Sequence, residues 1–282
     1  MTVASVLWIA REQRQVDGAH FDALTERVVT QWNDRVHRYQ FGLEAVKAVF
    51  VGSASVDGDE FARLVATWRL DKEFPGALGI GYLERDAAQP PPAPEPGADA
   101  STTPRAERVT LKFMEPRPAS DVRIDAEYAT VPVVDEAIEH ATRTGTVVAS
   151  DTIELLESAS RETGFLAILP VYRNGRDGTG RTGTVPVTVA ERADAVVGWI
   201  YMPIVAATAF SELDETAERE LDVAMLDPDA ATPAGASDDE AAEADLVSIS
   251  TVSFGGRSWN VRMSSTPQFV ASSHVTVFCV SI

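Results

Sequence analysis

The sequence predicts an α+β protein in which a long N-terminal stalk helix precedes α/β segments with mainly antiparallel sheets. Three observations predict this fold class. Apolar residues recur at helical spacing from Phe21 to Phe50, short apolar runs bounded by turn residues follow, and the run at 195–202 is a candidate partner strand for the run at 165–172. The 282 residues are enough for one large domain or two small ones.

The long helix follows from apolar residues separated by three or four positions, an average close to one helical turn. About thirty residues at 1.5 Å each give a length of about 45 Å, which a compact domain cannot bury entirely. We therefore expect this apolar face to pair with a second copy of the chain, or the helix to act as a stalk leading away from a membrane. The apolar positions are Phe21, Leu24, Val28, Trp32, Val36, Tyr39, Leu43, Val46 and Phe50.

The remaining elements are predicted from capping residues and apolar runs. Asp57, three residues before Glu60, is spaced to cap a short helix. A second helix has Pro132 in its first turn and ends at Gly145. Gly255 and Gly256 supply the positive φ angles of a tight hairpin. The predicted strands are residues 77–83, 109–113, 122–125, 165–172 and 195–202 and the hairpin arms 246–254 and 258–263.

Two segments are too poor in hydrophobic side chains to fold on their own. Residues 87–107 are rich in Pro, Ala and acidic residues, and residues 227–245 are acidic and rich in Ala. Such segments bury too little surface to offset the entropy of ordering. We expect 87–107 to be a mobile loop or linker and 227–245 to be disordered.

The composition excludes several classes of protein. The chain has 43 acidic and 24 basic residues, a net charge of −19, so nucleic-acid phosphates would be repelled. Its single cysteine, Cys279, excludes an internal disulfide and a cysteine-based metal cluster. Phosphate-binding, dinucleotide-binding and nucleophile-elbow motifs are absent, and the four histidines are never paired at metal-ligand spacing. The sequence therefore predicts neither a cofactor nor a metal.

Short apolar runs stand at both ends, at 3–10 and 275–282. Neither reaches the roughly 20 residues of a membrane span. They fit either a buried helix start and a final strand, or the stubs of two membrane helices.

One carboxylate stands out among the many. Asp125 ends the strand predicted at 122–125, where it would share a face with Arg123. It could accept hydrogen bonds from a buried ligand, or it could begin the turn before the next helix.

A series of short motifs follows a recognisable order along the chain. The motifs are Phe50-Val51-Gly52-Ser53, Glu60-Phe61, 75–82, Glu115-Pro116, Asp125, 141–145, Leu155, 164–172 and 198–202. Their order resembles the CHASE domain, the extracytoplasmic sensor of cytokinin-receptor-like histidine kinases and of many bacterial kinases and cyclases. The similarity extends over about residues 40–205.

The resemblance implies a non-catalytic sensor segment with two PAS-like α/β subdomains. Residues 1–52 would be a membrane stub and stalk helix, 53–205 the membrane-distal ligand-binding subdomain, and 206–282 the membrane-proximal subdomain and the start of a second span. A small-molecule ligand, a homodimer formed through the long helix and a location on the outer side of the cell membrane are implied as well. The two apolar ends then favour membrane stubs.

The resemblance also implies ligand-binding residues. Asp125 matches the aspartate that hydrogen-bonds the adenine ring in cytokinin receptors, and Leu155 matches a leucine that covers the ring. Ile168 stands where those receptors have a threonine, so the pocket lacks that hydroxyl. We expect the ligand between the strands that begin at residues 109, 122 and 165. The other candidate ligand residues on these strands are Phe113, Arg123 and Leu166.

Two other functions are compatible with the residues alone. A secreted acidic hydrolase would use Asp125 with another carboxylate, and the Asp125→Asn variant would lose activity. A structural stalk protein built on the long helix would have no pocket for a small molecule.

Overall fold

The computed structural model describes residues 3–53, 55–86, 109–117, 122–128, 131–173, 186–211, 213, 215–226 and 246–269. It divides into two compact units. The first comprises Met1–His37, Phe210–Ser253 and Ser258–Ile282, and the second comprises Arg38–Ala209 and Phe254–Arg257. The predicted linker at 87–107, the segment predicted to be disordered at 227–245 and the apolar run at 275–282 lie outside the described residues.

Helix α1 spans Val3–Gly52 and is therefore longer than the apolar stripe alone predicted. From Phe21 to Val46 every stripe residue is buried, with at most 6% of its surface exposed. Residues of the same chain therefore cover the face that was expected to pair with a second copy. No helix in the described ranges has an apolar stretch long enough to cross a bilayer.

The second unit is built on one antiparallel sheet in the order β3-β2-β1-β7-β6-β4, with β5 also paired to β6. This sheet and the long N-terminal helix confirm the predicted fold class. The apolar run at 165–172 lies in a strand whose residues 164–171 are all buried, and its predicted partner is its neighbour. The strands are β1 Ile80–Arg85, β2 Val109–Glu115, β3 Ala126–Glu127, β4 Val148–Ala149, β5 Ile153–Glu154, β6 Thr163–Tyr172 and β7 Val196–Val205.

Helices cover both faces of this sheet. Residues 38–52 of α1 and helix α2 (Gly58–Val65) lie on one face, where Phe50 contacts Tyr82 with ring centroids 4.4 Å apart. Helix α4 (Pro132–Thr144) lies on the other and buries Val134, Ala137, Ile138 and Ala141. It has Pro132 in its first turn and ends at Gly145 (φ 76°), as predicted. The unit also contains α3 Leu70–Glu73 and α5 Val189–Ala195, and α6 is Ala206–Phe210.

The first unit combines the N-terminal part of α1 with a three-stranded sheet in the order β8-β10-β9. Phe269 contacts the ring of Phe21 on α1 with centroids 5.9 Å apart. The predicted hairpin is confirmed, and its turn, which belongs to the second unit, has Gly255 at φ 57° and Gly256 at φ 79°. The elements are α7 Glu215–Glu220, β8 Leu221–Leu226, β9 Val247–Phe254 and β10 Arg257–Ser265.

One predicted strand is wrong. Residues 122–125 do not form a strand: Ile124 and Asp125 lie in a turn, and the short strand β3 begins only at Ala126. The physical reason is the backbone of Asp125, whose φ of 58° is left-handed and incompatible with extended pairing.

Candidate functional site

An apolar cluster fills the space between α4 and the sheet of the second unit. We call it the α4 cluster. It contains three of the ligand residues expected from sequence, Leu155, Leu166 and Ile168, each 0% exposed. Leu166 and Ile168 reach it because alternate residues of β6 point to the α4 side. The structure therefore brings these three side chains together.

Three polar side chains lie inside this apolar environment. Tyr128 and Tyr201 belong to the α4 cluster, and both donate hydrogen bonds to Oε1 of Glu157, over 2.6 Å and 3.1 Å. Glu157 is 3% exposed, and its other oxygen, Oε2, has no hydrogen-bond partner among the described residues. We call these three residues the Glu157 group. Buried polar atoms are rarely left without a partner, so the bare oxygen requires an explanation.

Burial dominates the electrostatics of the Glu157 group. Removal from water raises the pKa of the Glu157 carboxyl above its usual range, although hydrogen bonds from the Tyr128 hydroxyl, from the backbone N–H of Glu157 itself and from the Tyr201 hydroxyl oppose the shift. Burial, together with the neighbouring carboxylate, also raises the pKa values of both tyrosines. The tyrosines are therefore hydrogen-bond donors at neutral pH.

Asp125 and Arg123 are both exposed, whereas Leu155, Leu166 and Ile168 are buried. The Asp125 carboxylate lies 3.2 Å from Lys112 Nζ, and its side chain is 72% exposed. Its backbone N–H donates to the carbonyl of Leu111 over 2.7 Å. Ile124, which lies between Arg123 and Asp125, and Val122, which precedes Arg123, pack against the α4 cluster. The turn therefore directs its apolar side chains inward and its charged ones outward.

Phe113 lies apart from the other candidates. Its ring stacks on Phe61 of α2 with centroids 5.2 Å apart and also contacts Phe50 of α1. An irregularity in the pairing of β1 with β2 places Tyr82 opposite Phe113 and Leu83 opposite Leu111. Phe113 consequently contacts the α1 and α2 side of the sheet, whereas Leu111 belongs to the α4 cluster.

A small polar cleft lies elsewhere in the second unit, between α4, β4 and the hairpin turn. Its lining includes Glu136, His140, Ser150 and an ion pair between Asp151 and Arg257. This ion pair neutralises two of the charges that line the cleft. Within the described residues, no group of three or more His, Cys, Asp and Glu side chains could hold a metal ion.

The sequence reasoning missed all three members of the Glu157 group. Glu157 is one of 43 acidic residues, and nothing in its neighbours distinguishes it. Tyr201 lies in the predicted strand at 195–202, where alternation could have shown that Tyr201 and Trp199 share a face. The pairing of Tyr128 with Glu157 joins two connecting segments, and local patterns contain no signal for that.

Comparisons with known proteins support this architecture. The sequence model of the CHASE domain family matches residues 54–237, more than half of the chain. A comparison with curated proteins found no match.

Among solved structures, an extracellular ligand binding receptor from Desulfohalobium retbaense DSM5692 is similar, with 13% identity and a TM-score of 0.56. The alignment covers 88% of this chain and 40% of that one. The ligand-binding domain of the Pseudomonas aeruginosa PAO1 amino acid chemoreceptor PctC, in complex with GABA, aligns with 12% identity and a TM-score of 0.47, over 89% and 100% of the two chains. At 13% identity the likeness to the Desulfohalobium receptor concerns the fold alone.

Proposed function

The chain belongs to the CHASE domain family, and we propose that it is the ligand-binding segment of a membrane receptor of the histidine kinase or nucleotide cyclase type. CHASE domains are extracytoplasmic sensor domains and not enzymes. The observation that carries the proposal is the family match over residues 54–237, which includes the sheet and α4.

We further propose that a small molecule binds on the α4 side of the sheet. Leu155, Leu166 and Ile168 support this position because they meet in one cluster. Arg123 and Asp125, which are exposed, would contact a ligand from the outside, next to Val122 and Ile124. Phe113 would then stabilise the opposite face of the sheet through Phe61.

A screen for ligands that stabilise the chain tests the proposal. We expect at least one small molecule, from a library of cationic, anionic and neutral compounds, to raise the melting temperature in scanning fluorimetry, because a ligand that binds only the folded state stabilises it. The Ile168→Val variant should weaken binding of that compound severalfold. Ile200→Val is the matched control. Ile200 is equally buried, but because it is next to Tyr201 on β7, its side chain points to the face of the sheet away from α4.

Two results would contradict the proposal. One is that no compound raises the melting temperature. The other is that Ile200→Val and Ile168→Val weaken binding equally, because the ligand would then not lie on the α4 side.

We also propose that the signal passes through a homodimer formed by α1 and through flanking membrane spans. The stripe from Phe21 to Val46 is buried, so the dimer would use the exposed side of the helix, where Phe41 is 71% exposed. In analytical ultracentrifugation Phe41→Ser should weaken self-association, whereas Val187→Ser, at a residue 75% exposed but outside α1, should leave it unchanged. Equal effects of the two substitutions would contradict this arrangement.

A further inference from the structure

We propose that Glu157, Tyr128 and Tyr201 recognise a positively charged amino group, so that the ligand of this domain is a small amine. This inference rests on the proposed function, because it assigns a chemical class to the ligand of the α4 side. Neither the hydrolase hypothesis nor the resemblance to cytokinin receptors assigns a role to these three residues.

The hydrogen bonds of Glu157 leave one position open. Oε1 accepts from both tyrosine hydroxyls, while Oε2 has no partner among the described residues. In its ionised form the carboxylate only accepts hydrogen bonds, so the group complementary to that form is a donor. An ammonium group, with three N–H donors, can satisfy Oε2.

The charge of the Glu157 carboxylate also favours a cationic ligand. Glu157 is only 3% exposed. Among the described residues, no Lys, Arg or His side chain contacts its carboxyl group. A buried carboxylate without a counter-ion is costly, and a cationic ligand would remove that cost. An anionic ligand would be repelled, and a neutral acceptor would leave Oε2 without a donor.

The two tyrosines orient the carboxylate. Both hydroxyl groups donate to Oε1, which leaves Oε2 as the oxygen available to a ligand. A charge-assisted hydrogen bond from an ammonium group to Oε2 would be stronger than one from a neutral hydroxyl group, so the arrangement favours an amine over an alcohol of the same shape.

Two members of the group are carried by connecting segments. Glu157 lies in the connection between β5 and β6, beside the 42% exposed Leu156, and Tyr128 directly follows β3 at the edge of the sheet. Binding at Oε2 would therefore require the β5–β6 connection, which carries Glu157 itself, to shift, while the central strands could stay in place. Tyr201, on β7 in the sheet interior, provides the fixed wall.

The experiment measures binding of putrescine, tyramine and phenethylamine to the chain by isothermal titration calorimetry. The probes for comparison are the alcohols in which a hydroxyl replaces each amino group. We expect at least one amine to bind at least about tenfold more tightly than its alcohol, a factor that corresponds to one lost ionic contact. Glu157→Gln should remove this preference, and Tyr128→Phe should reduce it.

Glu154→Gln is the matched control, because Glu154 lies on β5 in the same region but is exposed and paired with Arg161. It should leave amine binding unchanged. Circular dichroism verifies that each variant is folded, and if Glu157→Gln does not fold, Tyr128→Phe provides the same comparison.

The outcomes separate this inference from the proposed function. If neutral or anionic compounds bind on the α4 side and the amines do not, the amine inference is wrong while the sensor function stands. Amine binding that Glu157→Gln and Tyr128→Phe leave unchanged also overturns it. If no compound of any class binds, the proposed function fails as well.

Discussion

The hydroxyl of Tyr128 donates a 2.6 Å hydrogen bond to the carboxylate of Glu157, which is 29 residues away in the sequence. The bond joins the edge of the sheet, just after β3, to the connection between β5 and β6. Because the bond is buried, water cannot replace it when one partner is removed. It therefore holds two connecting segments together on the α4 side.

The Tyr128→Phe variant should lose stability through this bond. We expect the free energy of unfolding, measured in urea, to fall by about 1–3 kcal/mol, because the buried carboxylate loses the shorter of its two tyrosine hydrogen bonds. Tyr172→Phe is the control. The Tyr172 hydroxyl donates to the neutral carbonyl of Thr142 in a partly buried position, and its loss should cost about 0.5–1.5 kcal/mol. An equal or smaller loss at Tyr128 would contradict the role assigned to the bond.

The stability of the chain should depend on pH through Glu157. Burial raises the pKa of this carboxyl in the folded state, so the folded chain holds the proton where the unfolded chain has released it. Stability should then decrease as the pH rises from the usual carboxyl range near 4.5 through the raised pKa. Below that window the neutral carboxyl causes no such loss.

The Glu157→Gln variant isolates this effect, since glutamine does not titrate. The difference in unfolding free energy between Glu157→Gln and the unmodified chain should grow in favour of the variant as the pH rises from 4 to 7. Glu154→Gln, at a carboxylate 54% exposed, should give a difference that stays nearly constant. Parallel curves for Glu157→Gln and the unmodified chain would show that the carboxyl titrates normally.

Asp125 has a backbone that few residues tolerate. Its φ of 58° lies in the left-handed region, which Gly, Asn and Asp adopt far more readily than Ala. We expect Asp125→Ala to lower the free energy of unfolding by about 1–2 kcal/mol, and Asp125→Asn and Asp125→Gly to be nearly neutral. The ion pair with Lys112 adds little because it is exposed. If the three variants lose equal stability, the ion pair and not the backbone would be the cause.

The elements that were predictable from sequence are those with a local signal. The spacing from Phe21 to Phe50 identified α1, the continuous apolar run identified β6, and Gly255 and Gly256 identified the hairpin turn. In each case the residues that carry the signal are neighbours in the chain, so one pattern determines one element.

The errors came from choices that only tertiary packing decides. The stripe of α1 showed a buried face but not what covers it, and the chain itself covers it. The left-handed backbone of Asp125 ended the strand predicted at 122–125. The irregularity in the pairing of β1 with β2 puts Phe113 on the side of the sheet that faces Phe61. Simple alternation along the strand does not predict such an irregularity. The Glu157 group unites residues from three separate segments, which a single sequence does not link.

The two glycines of the β9–β10 turn give a matched pair of substitutions, because both have positive φ but differ in their surroundings. A Cβ on Gly255 would clash with the backbone nitrogen of Ala149 and lie 2.8 Å from the carbonyl carbon of Val148. A Cβ on Gly256 would meet only His140 Cε1, at 3.9 Å. The Gly255 carbonyl also accepts a 3.0 Å hydrogen bond from the N–H of Ala149, so the turn cannot move away without losing that bond.

We therefore expect Gly256→Ala to cost about 1–2 kcal/mol, the backbone penalty alone. Gly255→Ala should cost about 1–3 kcal/mol more, because the overlap with β4 backbone adds to that penalty. Thermal unfolding of the two variants side by side measures the difference. Equal losses would mean that β4 gives way to the added methyl group, whereas a larger loss at Gly255 would show that close contact with β4 requires glycine at this position.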